Sequence, residues 1–353
     1  MTGRERVIKA LDFDHPDRAP RDLWWLPAVE ITQKEELENL LRRFPIDIGT
    51  PTFRPGVSNR GGGLPFMPRT RSGGGARTAL PRKGKYVDEW GSIWQVGEDG
   101  LIGEVKGPAL EVLAEVDHFS PPWEYLESTD LGEVNRSCAL DDRFMLSDIC
   151  ARPFERMQFL LGTQEFFLEL AYGRQKLFTL REMVHEYDLS HIRMWLATDV
   201  DGIFMMDDWG AQDRLLISPK LWREFLKPLY REYCDLVHEH GKYVFFHSDG
   251  YIEPLFDDLI EIGVDALNCQ LFCMDVREVA NRYRGRITFW GEIDRQRLLP
   301  FGHPSEIRQA VYQIRRLLGD GKGGVIAQCE WGKDNPRENI EAVFSAWSDP
   351  LPG

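Results

Sequence analysis

The sequence lacks paired cysteines. Its six stand at 138, 150, 234, 269, 273 and 329 with no CxxC and no regular spacing. That excludes a disulfide-stapled small fold and the usual thiolate metal knots. It also lacks any apolar run near the ~20 residues a membrane-spanning helix requires. Positive charge is scarce: 43 Lys and Arg face 57 Asp and Glu, for a net charge of −14. A partner recognised through its phosphates, nucleic acid or an anionic membrane, is therefore not expected. An anionic small substrate stays open, since a few local arginines can override the net charge. The opening "MTGRERVIKALDFDHPD" has no apolar leader; Thr2 and Glu5 have the spacing of a capping box on an amphipathic helix. These absences together lead us to expect a cytoplasmic protein with reduced thiols.

What the chain does have is core-forming material, 42% hydrophobic and 12% aromatic over 353 residues. Short apolar runs alternate with helical patterns along most of its length. Strands are expected at 19–23, 46–49, 143–148, 201–206, 243–247, 264–268, 286–291 and 324–328. Helices are expected at 32–43, 151–172, 177–198, 218–240, 252–262, 274–283, 304–318 and 336–347, the fourth entered through Ser218 and Pro219. Eight parallel strands with intervening helices predict a single (β/α)8 barrel occupying residues 1–353 after an N-terminal helix. A doubly wound open sheet is the runner-up, but no GxGxxG follows the first strand. Residues 51–120 read as an insertion. Its Gly-, Arg- and Pro-rich 55–84 predicts a mobile excursion, and "YVDEWGSIWQVGEDGLIGEVKG" a hairpin turning at Gly97–Gly100.

In such a barrel the carboxyl ends of the strands carry the chemistry. The stretch "KYVFFHSDGY" ends a buried strand on His247 and Asp249 before the turn at Gly250. The other strand ends offer Asp22, Trp24 and Trp25; Asp207, Asp208, Trp209 and Gln212; Asn268 and Gln270; Glu292 and Asp294; and Cys329, Glu330 and Trp331. A single loop Asp is more often a helix cap than a catalyst. Polar groups on six strand ends point instead to a binding mouth with acidic and aromatic walls. If the barrel brings them across the mouth, His247, Asp249 and Cys329 offer N, O and S ligands to a zinc with an open position. His238 and His240 are no such pair, because i and i+2 on a helix face apart. Cys269 and Cys273 read as packed thiols.

"DRAP" after the first helix, "DDWG", "HSDG", "IGVDALN", "GEID" and "ENIEAVFSAW" appear in this order along nearly the whole chain. In this the chain resembles the uroporphyrinogen decarboxylase superfamily, which also contains cobalamin-dependent methyltransferases. The resemblance to the decarboxylases implies an Arg-Gln-Ala-Gly-Arg anion clamp, yet the matching place reads "RDLWWLPAVE". A mouth lined by Asp22, Asp207, Asp208, Asp249 and Glu292 would repel an octacarboxylate. The resemblance to the methyltransferases implies zinc held by a His-x-Cys segment at the fifth strand and a Cys at the eighth. His247 and Cys329 match that pattern; Asp249 departs from it, replacing a thiolate with a harder carboxylate donor.

What this resemblance implies is methyl transfer between a methylcobalamin-bearing corrinoid partner, or a methylated small molecule, and an acceptor activated at zinc by His247, Asp249 and Cys329. Asp207 and Asp208 are further catalytic candidates. Asp22, Trp24, Trp209, Gln212, Asn268, Gln270, Glu292, Asp294 and Glu330 are candidate substrate contacts. A decarboxylase in which Asp207 or Asp208 stabilises a protonated intermediate is the alternative enzyme. A non-catalytic barrel binding a polyhydroxylated or cationic ligand is the third reading. Barrels of this size often form homodimers, and the sequence is compatible with one.

Overall fold

In the computed structural model, which describes residues 1–61 and 81–351, eight parallel strands form the centre. They are β1 (Arg21–Trp25), β2 (Ile48–Gly49), β3 (Phe144–Ala151), β4 (Gly202–Met206), β5 (Tyr243–Ser248), β6 (Ala266–Cys269), β7 (Thr288–Trp290) and β8 (Val325–Trp331). Each hydrogen-bonds its sequence neighbour, except that β1 pairs with β8, so the order runs 1-8-7-6-5-4-3-2. The remaining seam between β1 and β2 is crossed by the Asp47 amide, which donates to the Arg21 carbonyl at 2.7 Å. The architecture is a (β/α)8 barrel, and the open-sheet alternative is excluded.

Because successive strand residues face opposite ways, the wall has two apolar sides. Trp24, Phe204, Phe245, Trp290 and Ile326 fill the interior, which Val7 and Leu11 of the first helix close at the amino-terminal end. Leu23, Val244, Phe246 and Cys329 face outward into the layer shared with the helices. The first helix, Gly3–Leu11, is entered through the expected capping box, in which Thr2 and Glu5 satisfy each other's amides at 3.1 and 2.8 Å.

The structure refines several boundaries. The helix expected over 151–172 is two, Pro153–Leu161 and Thr163–Tyr172, divided at Gly162, whose φ of +85° only glycine adopts freely. The helix expected over 218–240 is also two, Pro219–Phe225 and Lys227–Glu239. Pro228 sits in the first turn of the second, where its missing N–H costs nothing. The expected hairpin is a three-stranded antiparallel sheet, Gly84–Val87, Ile93–Val96 and Glu104–Gly107. The turn at Gly97–Gly100 joins its last two strands. The first turn is built by Asp88, whose carboxylate accepts the amides of Trp90 and Ser92 at 3.0 and 2.8 Å. Of the excursion expected at 55–84, residues 62–80 lie outside the described residues. Among the described residues no helix is long and apolar enough to cross a membrane.

Candidate active site

Strand alternation decides which strand-end side chains meet. On β5, His247 shares the inward face with Phe245, so its ring enters the mouth of the barrel, 3% exposed. Its Nδ1 lies 2.6 Å from Asn268 Oδ1. The Asn268 amide is fixed by its other end, where Nδ2 donates to the Trp290 carbonyl and to Gln328 Oε1. Nδ1 therefore carries a proton, and Nε2 is the ring nitrogen turned into the mouth. Trp24 covers the ring, with centroids 5.1 Å apart. Trp24 is itself held by its indole N–H, which donates to Asp22, as does that of Trp290.

That nitrogen faces two acids. Nε2 is 3.3 Å from Asp249 Oδ1 and 3.7 Å from Asp208 Oδ1. One ligand atom from each of the three residues lies within 4.8 Å of the others. Asp208 also accepts the Asp249 amide at 2.8 Å, which locks the ends of β4 and β5 together. Asp249 Oδ1 is buried and has no hydrogen-bond partner. An imidazole nitrogen and two carboxylates, one with a buried oxygen that has no hydrogen-bond partner, crowd one point. Such a set is stable only around a cation or a shared proton. Burial, then the charges of Glu155 and Asp249, push the Asp208 carboxyl well above its usual range. Burial pushes Asp249 the same way, but the His247 imidazole and the Arg295 guanidinium outweigh it and hold Asp249 low.

The uroporphyrinogen decarboxylase (URO-D) family profile matches residues 108–349. This chain belongs to that family. A methyltransferase from Methanosarcina mazei has the same fold, with a TM-score of 0.70 at 15% identity over 99% of this chain and 98% of that one. A 3-keto-D-glucoside 4-epimerase from E. coli reaches a TM-score of only 0.37, at 11% identity over 67% of this chain and 84% of that one, and carries no argument. No curated protein matches the chain.

In this URO-D family member, the expected ligands His247 and Asp249 lie together at the mouth, and Cys329 lies apart from them. Cys329 is fully buried on the outward face of β8, paired in register with outward-facing Leu23, while Gln328 and Glu330 take the inward face. Among the described residues the group that could hold an ion is Asp208, His247 and Asp249, without Cys329. Asp207 also departs from its expected catalytic role. Its carboxylate accepts the amides of Phe154 and Glu155 at 2.7 and 2.8 Å and the Tyr230 hydroxyl, so it caps the helix after β3. Trp209 is fully buried against Phe246, Trp222 and Tyr230, where no substrate reaches it.

The remaining candidates divide by what they touch. Asn268 orients His247, and Gln270 accepts the Gly250 amide, holding the turn after β5. Asp294 caps its own loop through the amides of Gln296 and Arg297. Gln212 reaches out to Cys273 Sγ at 3.4 Å. Glu292, pushed up to about 8 chiefly by burial, and Glu330 both face Arg295. Three residues in the mouth escaped the sequence reading: Arg295, and the pair Arg152–Glu155 at 2.7 Å. The signal for both arginines was position. Arg295 directly follows "GEID", and Arg152 directly follows β3.

Proposed function

We propose that this URO-D family member is a metal-dependent methyltransferase, with Asp208, His247 and Asp249 holding a divalent ion that activates the methyl acceptor. The observation that carries this reading is the convergence of His247 Nε2 with the Asp208 and Asp249 carboxylates, Asp249 Oδ1 being buried with no hydrogen-bond partner. The donor set fits an ion: one imidazole held at Nδ1 and two carboxylates, the number of protein ligands found at catalytic zinc sites. When bound, the metal supplies Lewis acidity, lowering the pKa of an acceptor thiol or hydroxyl. Asn268 orients the imidazole, Asp249 and Asp208 balance the ion's charge, and Trp24 keeps water off one side of the ring. In transfer from a corrinoid the methyl moves without its bonding pair. Were a methylated corrinoid the donor, its carbon–cobalt bonding electrons would remain with it, the acceptor's lone pair would form the new bond, and the acceptor's proton would go to solvent.

Charge argues against the family's founding reaction here. With Asp208 and Glu292 pushed toward their neutral forms, Glu155, Asp249 and Glu330 face Arg152 and Arg295 in the mouth, and both arginines are already paired. An octacarboxylate finds no free cation among these residues.

The test is metal analysis of protein purified without chelator, followed by methyl transfer from methylcobalamin to a panel of thiols, read from the loss of the methylcobalamin absorbance. Roughly one divalent ion per chain and thiol-dependent demethylation are expected. Absence of metal, or coproporphyrinogen formed from uroporphyrinogen, would overturn the reading. A second expectation concerns Asn268. Asn268→Leu removes the acceptor for Nδ1–H and should weaken metal binding about 10–100-fold, whereas Asn268→Asp, which keeps that acceptor, should change it only a few-fold. Equal affinity in the two variants would deny Asn268 its orienting role.

A further inference from the structure

Arg295 lies in the loop after β7 with its side chain 18% exposed, among three carboxylates from three different strand ends. Its Nη2 binds Asp249 Oδ2, its Nη1 lies 3.2 Å from Glu330 Oε2, and its Nε lies 3.7 Å from Glu292 Oε1. The guanidinium thus ties the ends of β5, β7 and β8 into one rim. Its bond to Asp249 has a further consequence. With Oδ2 occupied, only Oδ1 is turned toward His247 Nε2. The carboxylate can give an ion one oxygen and no more.

Denticity selects among ions. A carboxylate that chelates through both oxygens suits larger ions with higher coordination numbers, while one that gives a single oxygen suits small ions with few ligands. Resting on the metal reading of the Asp208–His247–Asp249 cluster, we propose that Arg295 is a positioning residue that keeps Asp249 monodentate and so biases the site toward zinc-like over manganese-like ions. Lysine is no substitute, since it offers a point charge where the arginine fork spans Asp249 and Glu330 together.

A purely structural tie predicts something different. If Arg295 only relieved repulsion among Asp249, Glu292 and Glu330, its loss would weaken the binding of every ion alike. The discriminating quantity is therefore a ratio. Zn2+ and Mn2+ affinities of the full chain, of Arg295→Met and of Arg295→Lys are measured by competition with a chromophoric chelator. Absorption spectra of the Co2+-loaded proteins report coordination number independently of activity.

The preference for Zn2+ over Mn2+ is expected to fall about tenfold or more in Arg295→Met, with a weaker Co2+ visible band as the coordination number rises. Arg295→Lys, which keeps the charge, should fall between the two and supplies the reading should the methionine variant fail to fold. An unchanged ratio and an unchanged Co2+ spectrum in a variant that still binds metal would overturn the positioning role and leave the metal site standing. A wild-type chain that takes up none of the three ions would overturn both.

Discussion

His247→Ala is expected to lose divalent-metal affinity by two to three orders of magnitude. A four-ligand structural zinc site binds with about 10–16 kcal/mol, or about 3–4 kcal/mol per ligand, and each 1.4 kcal/mol is a factor of ten. The substitution also leaves Asn268 Oδ1 without its donor in a buried site, at a cost of about 1–3 kcal/mol to folding. Affinity should therefore be measured by chelator competition on protein whose circular dichroism matches the parent, with His247→Gln as the milder second variant. The companion variant Cys329→Ala is expected to bind metal as the parent does. Its thiol is fully buried on the outer face of the wall, away from the imidazole and the two carboxylates. If Cys329→Ala lost the ion and His247→Ala kept it, the ligand set drawn from Asp208, His247 and Asp249 would be wrong.

The outcome at Cys329 shows where legibility ends. The barrel could be read because strands buried on both faces appear as short unbroken apolar runs, and their alternation with helices leaves few topologies. The same double burial hides which way a side chain points. In "VIAQCEW" the outward residues Val325, Ala327, Cys329 and Trp331 look no more apolar than a strand's inward face would. His247 and Cys329 both stand at strand ends, but one faces the mouth and the other the helices. Asp207 and Asp208 posed the same difficulty, since neighbours on one strand end cannot share a direction. Only the N-terminus of Pro153–Leu161, absent from any local pattern, determines that the first of them caps a helix. Arg295 was missed for another reason. A search for acids and imidazoles at strand ends passes over the cation that organises them.

At the opposite end of the barrel, Asp47→Ala is expected to cost about 3–5 kcal/mol of stability, the loss that follows when one member of a buried ion pair is removed. Asp47 is 4% exposed and sits in the seam where β1 and β2 meet. Its carboxylate accepts Arg6 Nη1 at 2.6 Å, Arg18 at 2.7 and 3.1 Å, and the Arg21 amide at 2.7 Å. Its backbone amide donates to Arg21 and its carbonyl accepts the amide of Phe144 at 2.9 Å, so one residue ties β1, β2 and β3. Removing the carboxylate leaves Arg6, 8% exposed, with only the half-exposed Asp17 as a carboxylate partner, and leaves the Arg21 amide without an acceptor. Asp17→Ala, by contrast, removes a partner that water can replace and should cost about 1 kcal/mol or less. Urea denaturation of the three proteins checks the ranking, and a loss for Asp47→Ala no greater than that for Asp17→Ala would show that the seam does not depend on this carboxylate. Metal affinity of the folded fraction should be the same in all three. In this architecture the amino-terminal face carries stability and the carboxyl-terminal face carries chemistry, so a defect at one should not be read at the other.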